Sequence, residues 1–488
     1  MQDQRKRTAS DRAKVELITE EPKEASLTTK LSKYYRNSFP YNSYFRWLSH
    51  QEVPEQGEDV ATLWTHREFA FASQDNAGTE IFSRYRSFPT IAAFRESVIK
   101  RTPIRIEVGP EYNLEPRLRK KSVAFMENLT AVQREFVVDL DFDDYDDVRP
   151  CECKGATFCY SCWRLMIVAV QVLTDILKRQ YGCSHILWVY SGRRGLHCWV
   201  SDPHMLDLPN TVRAALIRSL SLCARRRGTM FTGGMLPDLE VIWRLHLMKT
   251  FMQFCQDERN DGDIRFLQKP SSLQVLAEIL PGDFGDRFLQ ELPSALGSLQ
   301  IFKNYSNFVK RTFSNQKTQI AYIAEAVFRF TFPRPDLNVS KDLNHLLKSP
   351  FVIHPKTGNI CTPVPPERLE DFEPYVTLDT KLDSEKLYPV NLDDHDYEEK
   401  LTVYTEFFTR YTEKLLEIEH VGIKQRQEEH HERKKEFFEQ LELKRQQIAQ
   451  SSASFVNNHE TRTLVVDEIE KKLNTLNMQR RRYIKVKK

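Results

Sequence analysis

The segment FVVDLDF, residues 136–142, limits the possible folds of this chain more than any other. Along a strand the side chains of Phe136, Val138, Leu140 and Phe142 fall on one face, whereas Asp139 and Asp141 fall on the other. The apolar face needs a core to pack on, and the opposite face presents two carboxylates with Cα atoms about 7 Å apart. Two like charges this close are unfavourable unless a cation lies between them. The segment therefore predicts a half-buried strand whose polar face binds something positive.

A divalent cation such as Mg²⁺ is the simplest candidate, because it prefers carboxylate oxygens and completes its coordination with water and substrate phosphates. The alternative is an acidic strand end that pairs with arginines, and a bare Asp-x-Asp does not decide between the two. The aspartates that follow, from Asp143 to Asp147, lie past the apolar run. We expect them to be solvated turn or helix-capping residues.

Composition narrows the class of protein only slightly. The 488 residues carry 71 basic and 68 acidic side chains, so net charge argues neither for nor against a nucleic-acid partner. We find no secretory signal and no run of 18 apolar residues, and we expect a protein of a reducing compartment with no membrane partner. In such a compartment, clustered cysteines are typical of metal sites rather than disulfides.

Four of the nine cysteines form such a cluster directly after the acidic segment. They follow the pattern C-x-C-x5-C-x2-C, which suits a closed, tetrahedral, structural zinc site. Buried or incidental free thiols are the alternative. The predicted ligands are Cys151, Cys153, Cys159 and Cys162.

A β-hairpin is predicted over residues 185–201, where two alternating runs flank the glycine-containing turn SGRRG. Gly192 and Gly195 allow a ligand to approach the backbone closely. Guanidinium groups bind phosphate oxygens in a bidentate manner, and a histidine adds a further donor. A solvated basic turn is the alternative, but the combination favours triphosphate binding. The residues are Ser191, Arg193, Arg194 and His197.

A third acidic residue, Asp336, follows two prolines that exclude it from a central strand, so we expect it at an edge or in a loop. If it reached Asp139 and Asp141, the three carboxylates would complete a two-metal arrangement for phosphoryl or nucleotidyl transfer. Lys348 and His354 would add cationic groups near the phosphates. Each of these residues taken singly is more often a surface residue.

The rest of the chain carries weaker signals, which predict only the approximate positions of its elements. Residues 1–28 are predicted to be a flexible arm, and strands are expected over 66–73 and 104–109. Residues 203–297 have a helical pattern, whereas 391–488 form a charged extension that is either a solvated helix or disordered. Its last residues, RRRYIKVKK, suit a disordered tail, a nuclear import signal or a nucleic-acid contact.

Together these motifs resemble the small catalytic subunit family of eukaryotic DNA primase, within the archaeo-eukaryotic primase superfamily. FVVDLDFDDYDDVR, the cysteine cluster, LWVYSGRRGLHCWV and FPRPDLNVSKDLNHLLKSPFVIHPKTG occur in the family's order. The resemblance implies a mixed α/β catalytic domain over 29–202 and 298–390, with a zinc motif at 151–162 and a helical insertion at 203–297. The family often has adjacent cysteines where Glu152 intervenes here, and an aliphatic residue in place of Pro335.

The resemblance also implies roles for individual residues. Asp139, Asp141 and Asp336 match the aspartates that bind catalytic Mg²⁺ or Mn²⁺, and Asp139 and Asp141 are catalytic together with Glu68. The residues around the incoming nucleotide are Glu68, Arg84, Glu107, Ser191, Arg193, Arg194, His197, His345, Lys348 and His354.

The implied activity is a DNA-directed RNA polymerase that makes short RNA primers on single-stranded DNA from NTPs. The implied partners are the large iron–sulfur primase subunit and the DNA polymerase α complex, with nuclear localisation. One rival is a repair or translesion primase-polymerase that prefers dNTPs, and another is an inactive, zinc-stabilised scaffold subunit. A metal-dependent nuclease is a weaker third, because it would have no use for triphosphate-directed cations.

Overall fold

The computed structural model describes residues 26–55, 58–74, 79–121, 126–221, 231, 235, 237–256, 266–375 and 383–417. The chain divides into two compact units, Met1–Thr412 and Glu413–Lys488. Of the second unit only 413–417 are described, and these residues are helical. Of the arm predicted over 1–28, residues 1–25 lie outside the described residues, and a helix already begins at Leu27. Of the extension predicted over 391–488, residues 418–488 lie outside them.

The described elements alternate between helices and strands. The strands are β1 (Arg67–Gln74), β2 (Glu80–Arg86), β3 (Arg105–Tyr112), β4 (Ala131–Gln133), β5 (Phe136–Asp141), β6 (Ile186–Tyr190), β7 (Gly195–Val200) and β8 (Leu347–Lys348). The helices are α1 (Leu27–Asn37), α2 (Tyr41–Ser49), α3 (Thr62–Thr65), α4 (Ile91–Arg101), α5 (Tyr160–Tyr181), α6 (Pro203–Leu206), α7 (Asn210–Leu220), α8 (Pro237–Ile242), α9 (Met248–Gln256), α10 (Pro270–Ile279), α11 (Phe284–Glu291), α12 (Ser298–Thr312), α13 (Gln316–Thr331) and α14 (Leu337–Lys341). A further helix begins at 397.

Local sequence explains several element ends. Pro40 separates α1 from α2. The Thr90 hydroxyl caps α4 by accepting a hydrogen bond from the Ala93 amide at 3.2 Å. Helix α5 ends at Gly182, whose φ of 65° is a left-handed conformation that glycine adopts without steric cost. The strands predicted at 66–73 and 104–109 and the hairpin predicted at 185–201 are confirmed by β1, β3, β6 and β7.

The first sheet has the strand order β2-β1-β3-β4, and β8 also pairs with β3. Its back face is apolar: Phe69 packs against Phe94 of α4 with ring centroids 5.0 Å apart. Its front face carries polar residues. Glu107 of β3 is paired with Ala70 of β1 and with Lys348 of β8, and residues paired across strands lie on the same face. The front face therefore collects residues that the sequence assigns to the nucleotide.

The second sheet has the order β5-β7-β6 and is antiparallel throughout. One face packs on α5, where Trp188 Nε1 donates to Thr174 Oγ1 at 3.0 Å. On the other face Trp199 meets Trp47 of α2, with ring centroids 5.1 Å apart. Asp139 lies on this second face with its cross-strand partner, and Phe136, Val138 and Leu140 are fully buried. The predicted alternation is thus confirmed.

A buried ion pair joins the two sheets. Arg67 of β1 donates from both terminal nitrogens to Glu135, just before β5, at 2.8 and 2.9 Å. Neither side chain is exposed to solvent, and Arg67 also donates to the carbonyls of Leu48 and Gly109. Burial opposes the ionisation of Glu135, but the Arg67 charge and the hydrogen bonds to the carboxylate together outweigh it, so the pKa of Glu135 lies below its usual value. The pair fixes β5 against the first sheet.

The described part of 203–297 is helical, as predicted, and it packs through phenylalanines. Phe251 of α9 contacts Phe302 of α12 and Phe330 of α13, at centroid distances of 4.7 and 6.0 Å. Helices beyond residue 298 therefore belong to the same helical layer. At the other end, Phe408 contacts Phe351 at 5.0 Å, so packed core residues occur past 390. The domain boundaries themselves stay predictions.

Helix α5 is long and apolar enough to span a membrane by length and composition alone, yet 78% of its apolar window is buried inside the protein. That burial is typical of a core helix. The mixed α/β fold class, with a helical region and a cysteine cluster, is confirmed.

Candidate active site

The three predicted carboxylates come together in the structure. Asp139 and Asp141 share a face of β5, and Asp336 caps the short helix α14. The Asp336 amide donates to the Asp139 carbonyl at 2.9 Å, while its carboxylate accepts from the Asn338 amide at 2.8 Å. Two distant segments are therefore joined through the main chain, at the point where their carboxylates are presented.

The electrostatics of this group are unbalanced. Burial, and then the negative charges of Asp141 and Asp336, raise the pKa of Asp139 to about 7 against the opposing effect of Lys348. Among the described residues, Asp336 forms no ion pair. The site is short of positive charge, and a divalent cation would supply it.

Arg194 compensates part of this charge. Its Nε lies 2.9 Å from Asp141 Oδ1, and its Nη1 lies 2.8 Å from Asp143 Oδ1. His197 Nε2 is 3.6 Å from Asp139 Oδ1. Burial, followed by the nearby Lys348 and His354, lowers the pKa of His197 to about 3, so the ring is neutral at physiological pH. Asp143 is therefore paired as well as solvated.

The turn between β6 and β7 depends on two glycines. The Gly195 amide donates to Ser191 Oγ at 3.0 Å, and a Cβ at Gly195 would lie 2.3 Å from the Leu140 carbonyl oxygen. Gly192 has a φ of 83°, and a Cβ there would lie 2.7 Å from His354 Cβ. No larger residue fits either position without moving the backbone, which holds the turn close to both β5 and the His354 segment.

Cationic groups surround this turn. Lys348 Nζ donates to the Ser191 carbonyl at 3.3 Å, whereas the half-buried Arg193 guanidinium has no hydrogen-bond or ion-pair partner within the described residues. His354 Nδ1 accepts from the Lys356 amide at 3.2 Å, which leaves its Nε2 to donate. Burial, then the Lys348 and Arg193 charges, lower the pKa of His354 to about 3. The arrangement suits an anionic phosphate group.

Glu68 is already fully engaged. Arg84 donates to both of its oxygens at 3.0 and 3.1 Å, the Tyr85 amide donates at 2.9 Å, and the Tyr112 hydroxyl donates at 3.1 Å. The side chain is not exposed to solvent. The geometry favours a positioning role, and the predicted catalytic role of Glu68 stays a prediction. Tyr112 is a contributor that no local sequence signal identifies.

Glu107 lies on the front face of the first sheet, 3.2 Å from Arg105 Nε. Burial raises the pKa of Glu107 in spite of the opposing charges of Arg105 and Lys348. Sequence reasoning missed Arg105, although its alternation with Glu107 in RIEVG places both on one face. His345 is an exposed residue whose ring is partly covered. This partial burial, followed by the Arg134 charge, lowers the pKa of His345.

The cysteine cluster forms a separate site. Its four sulfur atoms all lie within 4.8 Å of one another, and those of Cys159 and Cys162 are 3.9 Å apart. Tetrahedral zinc with Zn–S bonds of about 2.3 Å implies sulfur separations of about 3.8 Å, so the donor set fits a metal ion with Cys153 included. Arg149 braces the loop by donating to the carbonyls of Gly155 and Phe142 at 2.8 and 3.1 Å.

Asp139, Asp141 and Asp336 form a cluster of carboxylates with too little positive charge around it, and this cluster lies beside a basic turn where two sheets meet. Such an arrangement is typical of enzymes that transfer nucleotidyl or phosphoryl groups. Comparison with known proteins gives the family. A family model described as DNA primase small subunit matches residues 138–366.

Three relatives, each named DNA primase small subunit, illustrate the similarity. The Drosophila melanogaster protein is 31% identical over 362 residues, which is 71% of this chain and 79% of that protein. The Caenorhabditis elegans protein is 31% identical over 373 residues, covering 71% and 84%. The Saccharomyces cerevisiae protein is 27% identical over 428 residues, covering 82% and 95%.

The chain belongs to the DNA primase small subunit family, whose members are polymerases of the nucleotidyltransferase type. The predicted family and the predicted enzyme class, a DNA primase catalytic subunit, are confirmed. The roles assigned to individual residues stay predictions, although the structure brings most of them to one place.

Proposed function

We propose that this chain polymerises ribonucleotides into short RNA primers on single-stranded DNA at the site formed by β5, the Ser191–Gly195 turn and α14. The main-chain hydrogen bond from Asp336 to Asp139 carries the proposal, because it brings the third carboxylate to the other two. Family membership supports the same activity.

Asp139, Asp141 and Asp336 hold divalent Mg²⁺ or Mn²⁺ in this proposal. When bound, such ions polarise the attacking 3′-hydroxyl and neutralise the phosphates during in-line displacement of pyrophosphate. The raised pKa of Asp139 supports this role, since a carboxylate group without enough cations is what a metal site requires.

The basic turn binds the triphosphate. Arg193 is free to pair with a phosphate, and Lys348 and His354 add donors from the neighbouring segment. Ser191 and neutral His197 offer further hydrogen-bond donors. Arg194 becomes available to a phosphate when Asp141 and Asp143 take another cation in its place.

The first sheet contacts the nucleoside portion. Glu107 is half-buried on the front face and lies near the sugar in this proposal, with His345 at its edge. Glu68 holds Arg84 in place through two hydrogen bonds and thereby positions it toward the nucleotide.

The cysteine cluster binds one structural Zn²⁺, which braces the loop that follows β5. The mutual distances of the sulfur atoms support this assignment. Elemental analysis should give one zinc per chain, and Cys159→Ser should lower both the zinc content and the melting temperature. Full zinc content in that variant would contradict the site.

The proposed partners follow from the family. They are a single-stranded DNA template, NTPs, the large iron–sulfur subunit and the DNA polymerase α complex, in the nucleus and without a membrane. Fluorescence imaging of the tagged chain and co-purification with the large subunit test location and partner.

Primer synthesis on an oligo-dT template with ATP and Mg²⁺ or Mn²⁺ tests the activity, with and without a large subunit. Asp139→Ala combined with Asp141→Ala should abolish synthesis. Asp238→Ala combined with Glu240→Ala is the matched control, because it removes two acidic groups at the same spacing on the exposed helix α8.

Retained synthesis in the Asp139 and Asp141 variant would overturn the assignment of the site. A strong preference for dATP over ATP would instead favour the repair or translesion type of primase-polymerase.

A further inference from the structure

An irregular stretch of the edge strand β2 sends two neighbouring arginines to opposite faces of the first sheet. Residues two apart in a regular strand share a face. Arg84 contacts Glu68 on the front face, but Arg86 pairs with Phe69 and lies over the Phe71 ring on the back, with its guanidinium carbon 5.3 Å from the centroid. The register of β1 and β2 shifts at this point, which marks a β-bulge.

Tyr85, between these arginines, has a φ of 60°, a conformation that costs a bulky residue free energy. Its amide donates to Glu68, and the guanidinium carbons of Arg84 and Arg119 both lie over its ring, at 5.1 and 4.6 Å from the centroid. Arg119 also donates to the Arg84 carbonyl at 2.8 Å. Arg119 is thereby held beside Arg84, which contacts Glu68 of the candidate active site.

Arg101 lies in the last turn of α4, and its charge acts on Arg86. We call Arg86, Arg101 and Arg119 the arginine cluster. Among the described residues, Arg86 and Arg101 have no ion-pair partner, and the buried Arg86 Nε has no hydrogen-bond acceptor. Burial, and then the charges of Arg101 and Arg119, lower the pKa of Arg86. The helix dipole favours a positive charge at Arg101, in the last turn of α4, but it does not explain the positions of Arg86 and Arg119.

The neighbouring carboxylates do not neutralise the cluster. Glu68 pairs with Arg84, and Glu115 pairs with Arg117. Like charges brought together without a counter-charge are unfavourable, so the cluster suits an anionic ligand. Guanidinium groups match the geometry of phosphate oxygens.

We propose that the arginine cluster binds the backbone phosphates of the nucleic-acid strand that leaves the candidate active site past β2. This inference rests on the proposed function, since it takes the strand at the active site to be a nucleic acid. The position of the cluster supports it, because Arg119 is bonded to the backbone of Arg84, which itself reaches Glu68. The Tyr85 ring, which contacts the guanidinium groups of both Arg84 and Arg119, gives a second link between the cluster and the site.

The test is the salt dependence of binding. The full-length chain is titrated with fluorescent oligo-dT, alone and annealed to a short RNA, at several KCl concentrations. In the triple variant Arg86→Gln, Arg101→Gln and Arg119→Gln, the slope of log K against log salt should fall by about 2 on at least one substrate, since each phosphate contact with a single strand contributes about 0.7. The substrate that responds shows whether the template or the primed hybrid is bound.

The matched control is Arg179→Gln, Arg244→Gln and Arg311→Gln, which removes the same charge from exposed arginines that are paired with Asp175, Glu240 and Glu291. Its slope should equal that of the unmodified chain. A third variant with lysine at positions 86, 101 and 119 keeps the charge and should retain most of the slope. All variants keep the basic C-terminal segment, so its contribution cancels.

Binding of Mn²⁺-ATP, with a melting curve, checks that each variant is folded with an intact active site. An unchanged slope on both substrates in the folded glutamine variant overturns the proposal. An equal loss of slope in the control overturns it too, because the effect would then reflect net charge alone. Absence of primer synthesis by the unmodified chain would instead contradict the proposed function, so the two failures are distinct.

Discussion

Two carboxylates at the start and middle of the same stretch of chain, Glu135 and Asp139, experience opposite environments. Glu135 is completely buried but receives two hydrogen bonds from Arg67, and its pKa falls. Asp139 is half-buried beside two further aspartates, and its pKa rises to about 7. Burial alone therefore does not tell a structural carboxylate from a functional one. What differs is whether the protein itself supplies the counter-charge.

The largest effect should come from breaking the buried ion pair between Arg67 and Glu135. Glu135→Gln leaves the Arg67 charge buried without compensation, and we expect a loss of about 3–5 kcal/mol in the free energy of unfolding. Urea denaturation measures it. The double variant Arg67→Met with Glu135→Leu should recover most of the loss, because it removes both charges. A loss below about 1 kcal/mol in the single variant would show that the pair is not structural.

Replacing Asp139, whose charge the protein does not balance, should change the unfolding free energy in the opposite direction. Asp139→Asn removes a repulsion, so without added divalent metal the unfolding free energy should rise by about 1–2 kcal/mol at pH 8, while primer synthesis is lost. The modest size reflects the 26% exposure of the Asp139 side chain.

The pH dependence gives the sign of this effect. An aspartate whose folded pKa is raised to about 7 destabilises the fold progressively as pH rises from about 4 to 7. The gain in Asp139→Asn should therefore be small near pH 4, grow up to pH 7 and stay constant above it. A gain independent of pH would mean that charge repulsion is not its cause.

The smallest effect should come from Arg194, whose pairs are intermediate between the two cases. The side chains of Asp141 and Asp143 are 36% and 51% exposed, so solvent screens both interactions. Arg194→Gln should change the unfolding free energy by less than about 1 kcal/mol. Thermal melts at low and high salt, with the exposed Arg244→Gln as a control, measure the difference.

The sequence predicts the parts of the site that are encoded locally. Alternation in FVVDLDF places Asp139 and Asp141 on one face, and the glycines of SGRRG predict the turn, since both depend only on neighbouring residues. The cysteine spacing likewise predicts four thiols within reach of one metal. Asp336 is assigned to the same site through resemblance to a family, because its contact with β5 joins segments that are far apart in the sequence.

Other features depend on partners that sequence spacing does not reveal. Arg67 and Glu135 read as ordinary charged residues until the two sheets are packed together. Arg194 reads as a phosphate ligand, yet the structure pairs it with Asp141, because a nearby carboxylate competes for the same guanidinium. The bulge that separates Arg84 from Arg86 has no glycine to mark it, since Tyr85 takes the left-handed conformation itself.

The link between Asp139 and Asp336 uses an amide and a carbonyl rather than the carboxylates. This main-chain link therefore remains when either side chain is replaced, although replacing Asp336 also removes the cap of α14. Two practical results follow. A variant inactivated at a carboxylate should bind template and nucleotide in the native arrangement without reacting. The metal or sugar preference of such a site can change through side-chain substitutions alone.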